Sequence, residues 1–158
     1  MALRIVKEVN RSVSYPILSG SIVGGNLLQL DTANSGSLLP WAHTNTSGQP
    51  FGWALESNVF FPLQPANGEV AGQGYDYTNF NRGGLESVLN NGGDFVLYND
   101  GRGYPYDLVT YAINAPVYAS ATVDGNITSA ATSGVVVGYV VSYDVASSPT
   151  QLEVKSII

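Results

Sequence analysis

Leu27-Leu28-Gln29-Leu30-Asp31, followed by Gly36-Ser37-Leu38 and then by Gly48-Gln49-Pro50-Phe51-Gly52-Trp53-Ala54-Leu55, is a pattern that the chain writes twice. The second copy runs from Pro116-Val117-Tyr118-Ala119-Ser120 through Gly125-Asn126-Ile127 to Gly134-Val135-Val136-Val137-Gly138-Tyr139-Val140-Val141. Each copy reads as an apolar strand, a Gly-centred turn, a short strand, a small-residue loop and an apolar-Gly-aromatic-apolar strand. Gly36 aligns with Gly125, and Gly52-Trp53 aligns with Gly138-Tyr139 after a three-residue gap. A repeated β unit of this kind builds a scaffold and carries no catalytic chemistry. It points first to a structural or binding protein.

Outward from the repeat, strand signals continue. Residues 12–18 form an alternating apolar run, and Ile22-Val23-Gly24-Gly25 turns into the first copy. Residues 85–89 and 95–98 are apolar runs joined by Asn90-Asn91-Gly92-Gly93, and Asn and Gly tolerate the positive φ of a hairpin turn. Residues 108–113 read as a further strand, and 152–157 alternate as a half-buried final one. Helical periodicity is absent over any long window, and 18 Gly and 8 Pro punctuate the chain throughout. The expectation is an all-β fold, a small barrel or sandwich with two related β units. Residues 58–114 separate the copies as a long central insertion, and 62–81, rich in Gly, Asn, Gln and Tyr, read as a surface excursion. The organisation expected is an N-terminal arm over 1–12 and a single β domain over 13–158.

Composition narrows the function classes. The 158 residues are 44% hydrophobic, enough for a core, but only 11% charged, against roughly 25% in typical domains. The surface must then be built from Ser, Thr, Asn, Gln and Gly, which suits protein or sugar contacts. A net charge of −6, with no Lys or Arg between Arg11 and Arg82, argues against nucleic-acid binding, which needs cations along the phosphates. No stretch approaches the ~20 apolar residues of a membrane-spanning helix, and Met1 to Asn10 lack the apolar run of a signal peptide. Neither a nucleic acid nor a membrane is an expected partner. Sequons at Asn10, Asn45 and Asn126 read as chance matches in a chain this rich in Asn, Ser and Thr.

The usual catalytic and metal-binding constellations are missing. There is no Cys, and the one His, His43, lies in the polar loop Trp41-Ala42-His43-Thr44-Asn45-Thr46. One His without Cys makes no ordinary transition-metal site, and no Gly-x-Ser-x-Gly elbow accompanies it. Among the 12 acidic residues no spacing singles out a hydrolytic pair, and Asp100-Gly101 and Asp124-Gly125 are explained by turn geometry. Neither an EF-hand loop nor a phosphate loop occurs. The chain is expected to be no enzyme and to need no cofactor or metal.

Two features remain for recognition. Aromatics crowd the middle of the chain, and Tyr75, Tyr77, Phe80, Tyr104 and Tyr106 are the candidate interface residues. Tyr contributes area and a hydroxyl at little entropic cost, in a protein interface or a sugar-stacking face. Packing inside the barrel is the plain alternative. The second feature is the basic-apolar N-terminus, with Leu3, Arg4, Ile5, Val6, Lys7 and Arg11. It is either a first edge strand of the same fold or an arm that adds to a partner's sheet through main-chain hydrogen bonds.

The stretch Leu28-Gln29-Leu30-Asp31-Thr32, followed by Leu38, Trp41 and Gly52-x-Ala54-Leu55, resembles the lambda-type head decoration proteins of tailed bacteriophages. The second copy, from Val117-Tyr118-Ala119-Ser120 through Asp124-Gly125-Asn126-Ile127-Thr128 to Val137-Gly138-Tyr139, is similar to the larger decoration, or capsid cement, proteins. The resemblance covers about a third of the chain well and the ends loosely. It implies a β-rich, β-tulip-like structural protein of the virion, made in the host cytoplasm and placed on the outer surface of an expanded icosahedral head. Its partners would be the major capsid protein, bridged against internal pressure, and itself, as a homotrimer or a dimer. The N-terminal arm of such proteins adds to a capsid sheet, which by position corresponds to residues 2–11. The insertion at 58–114 departs from the smallest members and puts the trimer in doubt. The other function expected of such a chain is a carbohydrate-binding or receptor-binding β module of a phage fibre, using the central tyrosines.

Overall fold

A computed structural model describes residues 3–7, 13–16, 21–33, 36–55, 57–59, 85–90 and 92–158. In chain order the strands are β1 (Leu3–Lys7), β2 (Val13–Pro16), β3 (Ser21–Ile22), β4 (Leu27–Leu30), β5 (Leu38–Pro40), β6 (Gly52–Ala54) and β7 (Asn58–Val59). They continue with β8 (Leu85–Leu89), β9 (Gly93–Tyr98), β10 (Pro116–Ala119), β11 (Ile127–Thr128), β12 (Val136–Tyr143) and β13 (Gln151–Ser156). One sheet has the order β2-β8-β6-β4-β5, and a second the order β1-β9-β13-β12-β10-β11, while β3 and β7 pair apart. All pairings between these strands are antiparallel. The fold is an all-β sandwich with no closed barrel.

The repeat seen in the sequence is a repeat of register. In the first unit Leu30 faces Leu38, Leu28 faces Gly52 and Leu27 faces Trp53. In the second, Ala119 faces Ile127, Val117 faces Gly138 and Pro116 faces Tyr139. The correspondence extends to strands that the sequence reading did not include. Ala54 faces Val88 as Val140 faces Val154, and Trp53 faces Leu89 as Tyr139 faces Lys155. The strand ahead of each unit completes it, since Val13 lies opposite Val88 as Phe95 lies opposite Val154. Each sheet is therefore one copy of a five-stranded unit, and β1 is an extra strand on the edge of the second copy.

The two aligned glycine pairs have separate causes. Gly36 and Gly125 sit at φ 81° and 76°, left-handed conformations that non-glycine residues adopt only at a cost. Gly52 and Gly138 are required by proximity. A Cβ on Gly138 would collide with the Lys155 carbonyl oxygen, and one on Gly52 would lie 2.8 Å from that of Leu89, the equivalent residue.

Three expectations are corrected by the structure. Residues 85–89 and 95–98 do not form a hairpin: β8 lies inside the first sheet and β9 inside the second, so the Asn/Gly linker joins the two units. Nor is 58–114 a single insertion, because β8 and β9 are integral strands. The length difference lies in the connection between the last two strands, 55–84 from β6 to β8 in the first unit and 144–150 from β12 to β13 in the second. Residues 108–113 form no extended strand. They make an isolated bridge, Thr110 to Ser147, with Tyr111 buried beneath.

Both units stack the same way round. The side of the second sheet bearing Val117, Ile127, Val140 and Val154 packs on the side of the first sheet bearing Leu27, Trp53 and Leu89, forming the main core. The opposite side of the first sheet, with Leu28, Leu38, Ala54 and Val88, forms a second core with Ile22, against which Tyr15 and Phe51 pack. Trp53 Nε1 donates to the Ser156 hydroxyl at 2.8 Å across the sandwich. That hydroxyl donates in turn to the Ile158 carbonyl and accepts from the Ile158 N–H, so the buried group is fully paired. Ile158 is buried and Ile157 is exposed.

Gly138→Ala should cost about 3 kcal/mol, because the opposed carbonyl is backbone and has no room to withdraw. Gly36→Ala, with open space around it, should cost only the positive-φ strain of about 1 kcal/mol. Urea unfolding of the two variants measures the difference, and equal losses would mean that the close carbonyl does not select glycine.

Candidate binding surfaces

The two units meet at one margin in a cleft of about 610 Å³. One wall comes from the first unit, with Gln29 of β4, Leu39 and Pro40 of β5, and Ala42. The other comes from the β10–β11 turn, with Val123, Asp124 and Asn126, and from Arg102, Gly103 and Tyr104. A partly buried polar chain ties the walls together. Asn26 Nδ2 donates to Asn126 Oδ1 at 3.3 Å, Asn126 Nδ2 donates to Asp107 Oδ1 at 3.1 Å, and the Ser120 hydroxyl donates to Asp107 Oδ2 at 2.7 Å.

At the rim, Asp124 Oδ1 accepts the His43 N–H at 2.7 Å and lies 2.6 Å from His43 Nδ1. These bonds, the backbone one foremost, hold the Asp124 carboxyl below the usual carboxylate range against the opposing effect of partial burial. Asp124 thus remains an ionised acceptor with a fixed orientation. Gln29 Oε1 accepts from Ala42 N–H at 2.9 Å and from Asn45 Nδ2 at 3.0 Å, which pins the adjoining loop.

A second surface lies where residues 108–111 run beside 146–148, joined by Tyr111 N–H to the Ala146 carbonyl and Ser148 N–H to the Val109 carbonyl. Leu108, Val109, Ile113 and Val145 are exposed there. No ionisable acid or base occurs in 108–110, 112–115 or 145–151, and the one titratable group between them, the Tyr111 phenol, is buried and donates to the Asp107 carbonyl. Burial pushes that phenol's pKa upward, so it stays neutral. The segment is anchored at its margin by Asp144, which accepts the Thr150 hydroxyl and the N–H groups of Thr150 and Gln151.

The candidates from the sequence divide between these places. Tyr104 is half-buried and lines the cleft. Tyr106 is a correction: at 1% exposure, with its hydroxyl donated to the Pro149 carbonyl, it packs the core and presents no recognition surface. Leu3, Arg4, Ile5, Val6 and Lys7 form β1, whose backbone pairs with β9 at the edge of the second sheet. Arg11, Tyr75, Tyr77 and Phe80 lie outside the described residues. Among the described residues no cluster of three or more His, Cys, Asp or Glu could hold a metal ion. Asn126 of the third sequon is buried.

Arg102, Gln29 and the His43–Asp124 pair were not among the sequence candidates. His43 and Asp124 are 81 residues apart, and each has an ordinary local role in its own loop. The only local signal was Gln29, a polar residue between Leu28 and Leu30.

The Thr150 hydroxyl and then the Gln151 N–H hold the Asp144 carboxyl down at about 2, from an ordinary 3.8. A depressed carboxylate stabilises the fold above its unfolded value and loses that contribution as pH falls through the folded one. The stability difference between wild type and Asp144→Asn should thus be complete above 3.8 and vanish as pH falls through about 2. Urea midpoints across that range measure it, and a difference that stayed constant would show that the ionised carboxylate does not anchor the loop. No family model matches the chain, and no curated protein or solved structure matches it.

Proposed function

We propose that this is a structural virion protein that binds the outside of an expanded icosahedral phage head and stabilises it by bridging major capsid proteins. The observation that carries the reading is the uncharged surface at Leu108, Val109, Ile113 and Val145. Exposed apolar side chains held on a bonded loop pair, with the Asp144 carboxylate kept to its margin, are what a protein partner covers most favourably. The resemblance of the repeated unit to head decoration proteins supplies the identity of that partner.

The extra strand supports the same reading. β1 lies at a sheet edge, so its outward N–H and C=O groups are available to a partner strand. The two N-terminal readings are then compatible, since a strand paired to its own sheet on one side extends that sheet on the other. Arg4 and Lys7 add positive charge to an otherwise acidic chain and would steer it to an acidic capsid surface. On this reading the protein is a binding protein and no enzyme, acts on the head exterior after synthesis in the host cytoplasm, and self-associates, most simply as a trimer.

Co-sedimentation with undecorated, expanded heads tests the proposal. Saturable binding is expected of the full chain, with at least a tenfold loss for Leu108→Asp/Ile113→Asp, given the cost of burying unpaired charge. Deletion of residues 1–12 should also weaken binding while the cooperative melt is retained. Absence of binding by the full chain, or equal binding by the double variant, would overturn it.

A further inference from the structure

Head binding leaves the cleft between the two units without a role, although its chemistry is selective. We propose that this cleft binds a short, neutral oligosaccharide. Its volume of about 610 Å³ lies within the range of roughly 300–1,000 Å³ typical of small-molecule sites. A sugar presents hydroxyls that both donate and accept, together with an apolar ring face. Its site must therefore combine fixed acceptors, fixed donors and an aromatic or apolar wall.

The cleft supplies each of these. Asp124 Oδ1 is taken up by His43, while Oδ2 has no partner among the described residues. The Arg102 guanidinium and the Tyr104 hydroxyl likewise have no hydrogen-bond partner among them. Among the described residues Gln29 uses only its side-chain carbonyl oxygen, leaving its Nε2 hydrogens for a ligand. Val23, Leu39, Pro40 and Val123 form apolar lining, and the Tyr104 ring, held 5.4 Å from that of Tyr106, gives an aromatic element. The partly buried Asn26–Asn126–Asp107 chain fixes the two walls relative to each other, which lowers the cost of ordering the site on binding.

The charge balance and the backbone exclude the other ligand classes. One carboxylate and one guanidinium line the cleft, so an uncharged ligand fits better than a phosphate or a polyanion. A peptide would need a free strand edge. β4 is paired on both sides, and the three-residue β5 contains Pro40, which has no N–H to donate.

A printed array of neutral and sialylated glycans, probed with the full-length chain, tests the inference. Wild type should retain neutral glycans, and titration with a retained glycan should show affinity falling at least tenfold in Arg102→Ala and in Asp124→Asn. Lys155→Ala, on the opposite side of the second sheet, should bind as wild type does. The Arg102 side chain is exposed and has no hydrogen-bond partner among the described residues, so that variant decides the matter even if Asp124→Asn is destabilised. No retained neutral glycan, retention of sialylated glycans alone, or undiminished binding by Arg102→Ala would each overturn the proposal. The array contains no capsid, so its outcome is independent of the head-binding assay.

Discussion

The indole of Trp53, buried between the sheets and bonded through Nε1 to the Ser156 hydroxyl, is the contact on which the sandwich depends. It joins β6 of one unit to β13 of the other, and its ring meets Phe95 edge-on at 5.8 Å. A buried indole contributes a large apolar area, and truncating one typically costs about 3–5 kcal/mol. The polar bond adds direction to that burial. The Ser156 hydroxyl gives the Trp53 N–H a partner inside the core, whereas the buried Trp41 Nε1 of the same core has none among the described residues.

From this stacking the rest of the surface follows. Because the units face the same way, the position of Trp53 in the first is occupied by Tyr139 in the second, 43% exposed. Leu89 likewise corresponds to Lys155, and half-buried Leu55 to exposed Val141. The duplicated backbone thus carries two different sets of side chains on equivalent faces, one chosen to be covered and one to meet solvent. The cleft is a further consequence, since it exists only where the β10–β11 turn of one unit reaches the β4–β5 wall of the other.

The glycine pairs show how much a repeat constrains. Gly36 and Gly125 are required by local φ, whereas Gly52 and Gly138 are required by a carbonyl on the neighbouring strand. The second pair holds β6 against β8 and β12 against β13 at close approach, so it constrains a contact between segments distant in sequence. Separate physical demands have thus left the same residue type at matching points in both halves of the chain.

The all-β class and the three-strand core of each unit were legible in the sequence, because period-two apolar runs and turn glycines are local signals. Burial of Tyr106 and Tyr111, and exposure of Tyr139, were not, since a tyrosine in an apolar run reads the same on either side of a sheet. That β8 and β13 are equivalent was hidden because the connection before them is long in one unit and short in the other. The Asn90–Gly93 linker reads as a hairpin turn whether the next strand returns to the same sheet or crosses to the other. Most strands, the turn glycines and the duplication are local properties, set by neighbouring residues and backbone sterics, and so they can be read along the chain. Which faces are covered, that His43 meets Asp124, and that Arg102, Tyr104 and Gln29 share a cleft emerge from the packing of the two sheets, because they depend on residues far apart in the chain.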